Sequence, residues 1–274
     1  MIRQRTRTAI CVHLRSSTVP NTDKRRFQER VEERRKLCVL SVSAVKVMPT
    51  ENEYILTASI EYQVSSIEYQ LSITQNPPLM NLGQIKEATC APTSCAQKFQ
   101  QYIQAACDQF NIDTPARELC FLAQVGHESG GLYYTEELAS GAAYEGKKSL
   151  GNTQPGDGIK FKGRGLIQIT GRANYQSVGT ALQLDLINNP TLLGGKNVSV
   201  CTPAQLKNAA LSAAWFWNSK NLNALADKID LAQPIDSGTN LDNYKAITKK
   251  INGGYNGLAD RLNRFKSGLK YFEG

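Results

Sequence analysis

Residues 121–170 carry most of the information in this chain, and their sequence is FLAQVGHESGGLYYTEELASGAAYEGKKSLGNTQPGDGIKFKGRGLIQIT. Just before them, Thr114-Pro115 offers an oxygen cap followed by a proline, which is typical of a helix start. Apolar residues then recur at helical spacing, so the pattern predicts a helix from about Pro115 to Ser129. At the other end, the apolar run Leu166–Thr170 is strand-like.

Two carboxylates frame a glycine pair in this stretch: Glu128 and Glu137 lie nine residues apart, with Gly130-Gly131 between them. In a continuous helix they would be separated by roughly 13 Å along the axis, too far to act on one bond. Glycine tolerates positive φ, so the pair can end the helix and turn the chain back. Two carboxylates beside neutral hydrogen-bonding groups suit glycosidic bond cleavage, one as acid and one as base. On spacing alone, a solvated helix end with a simple glycine cap is the alternative.

Several motifs, in a fixed order, resemble one enzyme family. They are His127–Gly131, Lys162–Tyr175, Ile251–Gly254 and Asp260-Arg261. Together they resemble glycoside hydrolase family 19, which includes plant and bacterial chitinases and many phage endolysins. Two further runs, Ala139–Gly146 and Asn256–Arg261, are most similar to the short bacterial and phage members. The resemblance covers about Cys90 to Phe272.

The resemblance implies roles for individual residues. Glu128 matches the general acid, Glu137 the general base, and Thr170 the hydroxyl that helps hold the attacking water. The residues that match groove amides, or supports of the groove and the base, are Gln168, Asn174, Asn252 and Arg261. Glu136 adjoins Glu137, and Glu145 lies in the same loop, so both remain alternatives for the base.

Aromatic residues are the other candidates for sugar contacts. Tyr144, together with Tyr133 and Tyr134, could stack on sugar rings, although packing is an equal alternative for each. Trp215 and Trp217 lie in an alanine-rich segment that predicts a helix at about 203–219, where core packing is favoured.

The charge of the chain is unevenly distributed. Of the net charge of +8, residues 1–36 supply +7, from eleven Lys/Arg and four Asp/Glu. The 274 residues suffice for one large domain, or for one with a small partner domain. No apolar run approaches the roughly 18 residues of a membrane span. The run Ile10–Leu14 is too short for a secretory signal and is followed by Arg15, so we expect no cleavable signal peptide.

The seven cysteines and two histidines fit no zinc-binding spacing. The reaction that the family resemblance implies uses neither a metal nor a cofactor, and we expect none. Reduced thiols are the favoured interpretation, and a Cys90–Cys95 or Cys107–Cys120 bridge is the alternative.

Residues 1–86 do not share the family resemblance. Asp23–Lys36 has the mixed charges of a solvated helix, and alternation within 53–74 favours strands. We expect a small N-terminal α/β segment over 1–86, followed by a catalytic domain over 87–274. The segment could target anionic cell-wall polymers, or it could be an extension without a binding role.

The fold expected from the resemblance is mainly α: a lysozyme-like family 19 hydrolase domain with a substrate groove. The expected function is inverting hydrolysis of β-1,4 bonds in peptidoglycan by a cell-wall-lytic endolysin. The alternatives are a chitinase and a non-catalytic glycan-binding protein. We expect a monomer that binds peptidoglycan or chitin but neither nucleic acid nor membrane. It would be made in the cytoplasm of a bacterial host and act on the wall after release.

Overall fold

The computed structural model describes residues 79–272, and within this range it contains helices but no strands. The α-helices are α1 (Leu82–Thr89), α2 (Thr93–Gln109), α3 (Pro115–Glu128), α4 (Asp157–Lys160), α5 (Arg172–Leu182), α6 (Pro203–Ser219), α7 (Asn223–Ala226), α8 (Gly238–Asn252) and α9 (Leu258–Leu269). Short 3-10 turns occupy Ala142–Tyr144, Lys148–Leu150 and Pro190–Leu193. The mainly helical fold predicted for the catalytic part is thus confirmed.

Helix α1 lies across the division expected between the N-terminal segment and the catalytic domain. One compact unit comprises Thr74–Gly274. The expected division at 86/87 would cut helix α1, whose Ile85 is fully buried. Residues 1–78, which hold the predicted charged helix, the strands and nearly all of the N-terminal segment, lie outside the described range.

Local sequence features explain where helix α3 begins and ends. The Thr114 hydroxyl accepts a hydrogen bond from the backbone N–H of Arg117 at 3.3 Å, and Pro115 occupies the first helical position. The helix ends at Glu128, one residue before the predicted end at Ser129. Residues 118–126 are all buried, so this helix runs through the core and presents its C-terminal end to the candidate site.

Small residues allow helices α1, α3 and α9 to approach closely. A Cβ added at Gly126 would lie 2.7 Å from the Cα of Thr89, and one at Gly268 would lie 2.7 Å from the Cβ of Ala88. No real Cβ is accommodated at such distances, so both positions need glycine. This close packing places Arg261, on α9, beside the end of α3.

Helix α6 follows the sequence prediction in both bounds and role. Thr202 and Gln205 form a capping box around Pro203. Trp217 is fully buried, and its ring meets Phe121 edge-on at 5.6 Å between centroids. No helix within residues 79–272, α6 included, is long and apolar enough to cross a membrane.

The strand predicted at Leu166–Thr170 is wrong. Gly165 and Gln168 have φ values of +80° and +55°, which break an extended backbone. The segment closes on itself through an isolated antiparallel bridge between Arg164 and Ile169. Its apolar side chains are buried all the same, so the apolar pattern here belongs to a buried tight loop.

The described cysteines are all free thiols. Cys95, Cys107 and Cys120 are buried, Cys201 is half-buried and Cys90 is exposed. Burial raises the pKa of the Cys107 and Cys120 thiols well above the ordinary value of 9. The fold of residues 79–272 therefore relies on packing and hydrogen bonding without a disulfide.

Glu118, near the start of α3, should make stability depend on pH. Burial, with added repulsion from Asp113 and Asp108, raises the pKa of Glu118 to about 7 from 4.5. The folded state then holds a proton that the unfolded state releases earlier, so stability falls as pH rises from about 4.5 to about 7.

We expect Glu118→Gln to stabilise the fold by roughly 1–3 kcal/mol at pH 8 and to add nothing at pH 4. Urea unfolding at both pH values measures the difference. Asp242→Asn, at an exposed position on α8, is the control and should give no such pH-dependent gain. An equal effect of Glu118→Gln at both pH values would contradict the prediction.

Candidate active site

The chain reverses direction immediately after Glu128. Gly130, Gly131 and the buried Leu132 all have positive φ, from +59° to +71°. The hydroxyl of Ser129 donates to the carbonyl of Val125 at 2.6 Å and accepts from the N–H of Leu132 at 2.9 Å, which stabilises the turn. The predicted end of the helix at the glycine pair is therefore confirmed.

Glu128 is held by a buried arginine. The Nη2 of Arg261 lies 2.5 Å from the Oε1 of Glu128, and the exposed fractions of the two side chains are 1% and 18%. Arg261 also donates to the side-chain oxygen of Gln124 at 2.5 Å and to the carbonyl of Asn256 at 3.3 Å. Within residues 79–272, the other Glu128 oxygen, Oε2, accepts no hydrogen bond. One carboxylate oxygen is thus fixed and the other remains available.

The position of Arg261 differs from the implied role. The resemblance implies that Arg261 supports the groove and the base, whereas its guanidinium contacts Glu128, the implied acid. Asn252 reaches the same neighbourhood indirectly. Its side-chain amide donates to the carbonyl of Asn256 at 3.1 Å, and its oxygen accepts from the N–H of Gly254 at 2.9 Å. We call Glu128, Arg261, Gln124, Asn252 and Asn256 the acid cluster.

A second ion pair lies directly beside the acid cluster. The Nδ1 of His127 donates to the Oδ2 of Asp260 at 2.6 Å, and the Nε of Arg264 donates to the same oxygen at 2.6 Å. Although partial burial opposes ionisation, Arg264 and His127 hold the pKa of Asp260 below its ordinary value. Gly257 packs on the His127 ring so closely that an added Cβ would lie 2.1 Å from it. His127 is thus a hydrogen-bonded, packed residue.

Glu137 is held by neutral donors. The hydroxyl of Tyr144 donates to Oε1 at 2.9 Å, and the backbone N–H of Gly163 donates to Oε2 at 3.1 Å. Burial and the bond to Glu137 raise the pKa of Tyr144 above 10, so the phenol keeps its proton and remains a donor. Within residues 79–272, no cation forms an ion pair with the Glu137 carboxylate. Tyr144, a stacking candidate from sequence, here orients a carboxylate.

The two alternative bases have other partners. Glu136 pairs with Lys162 at 2.9 Å and with Arg164 at 2.7 Å. Burial opposes its ionisation, but these two cations hold the pKa of Glu136 below its ordinary value. Glu145 accepts from the N–H groups of Gly156 and Gly158 at 2.7 and 2.8 Å, which fixes a loop.

The remaining predicted residues gather around Gly163. A Cβ added there would lie 2.8 Å from the Oε1 of Gln168 and 3.3 Å from the Oγ1 of Thr170. The hydroxyl of Thr170 donates to the carbonyl of Gln168 at 2.9 Å, and the amide of Asn174 donates to the carbonyl of Thr170 at 2.7 Å. We call Glu137, Tyr144, Gly163, Gln168, Thr170 and Asn174 the base cluster.

A buried carboxylate fixes the loop that follows the base cluster. Asp157 is 1% exposed and accepts two hydrogen bonds from the guanidinium of Arg172, at 2.6 and 2.8 Å, and two from the backbone of Thr153 and Gln154. Such a bidentate pair is geometrically specific. It anchors the loop to the first turn of α5, next to the base cluster.

The two clusters give the carboxylates different surroundings, since Glu128 contacts a buried cation and Glu137 contacts neutral donors. Two carboxylates in unlike environments can serve one as acid and the other as base. Within residues 79–272, no group of three or more side chains has the composition of a metal site.

Comparison with known proteins agrees with this chemistry. A family model described as "Chitinase class I", of glycoside hydrolase family 19, matches residues 93–272. By class, the protein is a glycoside hydrolase. The chain belongs to glycoside hydrolase family 19, as the sequence motifs indicated.

Individual relatives support the assignment. A family 19 domain-containing protein of Haemophilus influenzae is 27% identical over 198 residues, covering 61% of this chain and 86% of its own. An endochitinase of Arabidopsis thaliana is 34% identical over 158 residues, covering 57% and 46%, so this chain spans about half of the plant protein. The crystal structure of a bacterial family 19 chitinase has a TM-score of 0.51 and 22% identity, covering 71% and 95%. This last similarity supports the fold.

Sequence reasoning overlooked two parts of the site. The first is the pair formed by His127 and Asp260, each of which precedes a member of the Glu128–Arg261 pair. The available signal was the two dipeptides His127-Glu128 on α3 and Asp260-Arg261 on α9, in which each ionisable residue adjoins another. The second is the backbone N–H of Gly163, which no side-chain pattern reveals.

Gly163 should be needed for activity more than for stability. Its Cβ position is limited mainly by the Gln168 and Thr170 side chains, so Gly163→Ala would displace them and the nearby Glu137 carboxylate. We expect turnover to fall by about 10- to 100-fold, since small displacements of catalytic groups have effects of that size. Steady-state kinetics and thermal unfolding measure the two quantities. Gly195→Ala, which meets only ordinary contacts beyond 3.4 Å, is the control, and an equal loss of activity in both variants would contradict this role.

Proposed function

We propose that this protein hydrolyses β-1,4 glycosidic bonds in peptidoglycan with inversion at the anomeric carbon, as a cell-wall-lytic enzyme of the endolysin type. The observation that carries the proposal is the presence of two separately held carboxylates, Glu128 fixed by the buried Arg261 and Glu137 by neutral donors. Their assignment as acid and base follows the resemblance of their motifs to the family. Family membership supplies the reaction class.

Glu128 is the proposed general acid. Arg261 fixes its Oε1, which leaves Oε2 to carry the proton that the leaving sugar oxygen requires. The guanidinium is itself oriented by the side-chain oxygen of Gln124, whose amide donates to the hydroxyl of Thr248 at 3.0 Å. This chain of buried contacts holds the Glu128 side chain in one position.

Glu137 is the proposed general base. It would take a proton from a water that attacks the anomeric carbon, with the Thr170 hydroxyl holding that water. Tyr144 and Gly163 orient the carboxylate and leave further lone pairs on both oxygens for the water. Glu136 is less suited to the role, because its two oxygens pair with Lys162 and Arg164. Glu145 also accepts from neutral donors, which fix a loop, and it is the alternative base that mutation tests.

The choice of peptidoglycan rests on two sequence features. The runs Ala139–Gly146 and Asn256–Arg261 are most similar to phage-type members, and residues 1–36 carry a net charge of +7. A basic segment is attracted to anionic wall polymers. Chitin is the second candidate, favoured by the names of the endochitinase relatives.

The place of action follows from this proposal. The enzyme would be made in the cytoplasm of a bacterial host without a signal peptide and would meet the wall only after release. Fractionation of producing cells before and after lysis tests this directly. Activity that accumulates outside intact cells would contradict it.

The substrate is tested by incubating the full chain with purified peptidoglycan and with chitin oligomers and analysing the products by mass spectrometry. We expect muropeptides shortened at a β-1,4 linkage, and early products of inverted configuration by proton NMR. Cleavage of chitin oligomers alone would make the protein a chitinase. Retention of configuration would exclude the water-mediated mechanism.

A non-catalytic glycan-binding protein is the alternative from another class. Both carboxylates are present and separately held, which a binding role does not need. Binding without cleavage of either polymer would favour this alternative.

A further inference from the structure

We propose that Lys147 and Lys148 form a carboxylate-binding site beside the base cluster, which recognises the acidic groups of peptidoglycan. This inference rests on the proposed function and deepens it, because it assigns the residues that would distinguish an acidic glycan from neutral chitin.

The two lysines stand on a fixed loop. The N–H of Lys147 donates to the carbonyl of Tyr144 at 3.3 Å, and the Lys147 carbonyl accepts from Leu150 at 3.0 Å and Asn152 at 3.2 Å. The amide of Asn152 also donates to the Tyr144 carbonyl at 2.9 Å. Lys148 begins the 3-10 turn Lys148–Leu150. The backbone that presents both ammonium groups is therefore held in one conformation.

The N-terminal end of α5 adds a second attachment for this loop. A Cβ added at Gly151 would lie 2.7 Å from the Cβ of Ala173, and one at Gly171 would lie 2.6 Å from the Cβ of Leu150. The loop therefore packs directly against the helix that carries Asn174. This packing fixes the lysines relative to the base cluster.

The ring of Tyr144 links Lys147 to Glu137, the proposed base. Its Nζ lies 5.2 Å from the centroid of the Tyr144 ring, and the hydroxyl of that ring donates to Glu137. A cation at this distance from a ring is attracted by its face. A glycan bound at Glu137 would thus pass within reach of the ammonium group.

Other cationic side chains near the base cluster, unlike Lys147 and Lys148, form ion pairs with carboxylates. Lys162 and Arg164 pair with Glu136, and Arg172 pairs with Asp157. Their charges are therefore largely compensated and are poorly available to a ligand.

The lysines themselves have no such partner. Among residues 79–272, no carboxylate lies within ion-pair distance of Lys147 or Lys148, and both residues are exposed. Glu145, the nearest acidic residue in sequence, bonds instead to the backbone N–H groups of Gly156 and Gly158. Two positive charges, adjacent in sequence on a held loop, are thus exposed and unpaired with any carboxylate of residues 79–272.

The chemistry of the two polymers decides the ligand. Chitin is a neutral polymer of N-acetylglucosamine, whereas every second sugar of peptidoglycan carries a lactyl group whose carboxyl is free or bears an acidic stem peptide. Lysine ammonium groups form charge-assisted hydrogen bonds with carboxylates. The ligand is therefore a carboxylate, supplied by the lactyl group or by the stem peptide.

The test measures binding in the Glu128→Gln background, so that ligands stay intact. The ligands are a soluble peptidoglycan tetrasaccharide with its stem peptides, the same tetrasaccharide after an amidase has removed the peptides, and chitotetraose. Calorimetry of the full chain is compared with that of Lys147→Gln/Lys148→Gln. Both proteins keep the basic residues 1–36, so the contribution of that segment cancels.

We expect the double variant to bind at least one of the two peptidoglycan fragments about three- to tenfold more weakly, as two exposed ion pairs would predict. Its affinity for chitotetraose should change less than about twofold, and the deficit should shrink at 0.5 M salt because exposed charges are screened. A deficit seen only after amidase treatment assigns the lactyl carboxylate, because the stem peptide otherwise holds that carboxyl in an amide bond, and a deficit that the treatment removes assigns the stem peptide. Lys147→Arg/Lys148→Arg should restore most of the binding.

Lys160→Gln is the matched control. This lysine is also exposed and also lies over an aromatic ring, at 5.4 Å from the centroid of Phe161, but its charge acts on Asp185. The substitution should leave all three affinities unchanged. An equal deficit in this variant would reduce the effect to general surface charge and overturn the assignment.

Two other results would overturn the proposal: an equal loss of affinity for chitotetraose and for the peptidoglycan fragments, or no loss for any of the three ligands. Failure of the proposed function gives a different result, namely that the wild-type chain cleaves chitin oligomers but not peptidoglycan. Because the lysine contribution is measured by binding and not by cleavage, the two failures are distinguishable.

Discussion

Glu128→Gln should lower turnover by at least about 100-fold on whichever glycan the enzyme cleaves, the usual scale of general acid catalysis. Glutamine preserves the shape of the side chain and an oxygen that can accept from Arg261, but it has no acidic proton to give to the leaving sugar. The buried guanidinium keeps its bonds to Gln124 and Asn256, so the fold should persist with some loss of stability.

Initial rates and urea unfolding of the same preparations separate these effects. Glu118→Gln is the matched control, because it makes the same change on the same helix α3, ten residues away from Glu128. It should retain activity. If Glu128→Gln were close to wild type in turnover, Glu128 would have no place in the mechanism.

Glu137→Gln should have a comparably large effect, a loss of about 100-fold or more, because an amide cannot take a proton from water. The hydrogen bond from Tyr144 can still be accepted, so binding of the glycan should change much less than turnover. The expected result is therefore a fall in kcat with little change in KM.

The neighbouring glutamates supply the comparison. Glu145→Gln retains an oxygen for one of the two loop amides and should keep most of the activity. Glu136→Gln removes the charge that compensates Lys162 and Arg164, so it should cost stability more than chemistry. An inactive Glu145→Gln with an active Glu137→Gln would move the base to residue 145.

Local sequence rules predicted the helices well, because their signals lie in neighbouring residues. Thr114-Pro115 predicted the start of α3, and the alanine-rich apolar segment at 203–219 predicted α6, and the structure has both helices. The strand predicted at Leu166–Thr170 was wrong because the fold of this segment is not determined by its neighbouring residues alone. Its three apolar residues are buried, and the positive φ values of Gly165 before it and of Gln168 within it leave no trace in a pattern of apolar residues.

The site could be predicted only in part. Motifs identified Glu128, Glu137 and Arg261, but they did not reveal that Arg261 would meet the acid, since that contact joins residues 133 positions apart. It depends on the close approach of α3 and α9 at Gly268, where an added Cβ would lie 2.7 Å from the Cδ1 of Leu119 on α3. The roles of Tyr144 and of the Gly163 N–H likewise depend on three-dimensional proximity.

The buried thiols can be used to measure local opening of the fold. Cys107 and Cys120 are fully enclosed, and Cys95 is nearly so, whereas Cys90 meets solvent. An alkylating reagent should therefore modify Cys90 at once and reach the others only when helices α2 and α3 separate from the core. Peptide mass spectrometry of samples quenched over time would give an opening rate for each helix. A glycan that binds the end of α3 should slow the labelling of Cys120, so substrate engagement could be followed without any measurement of cleavage.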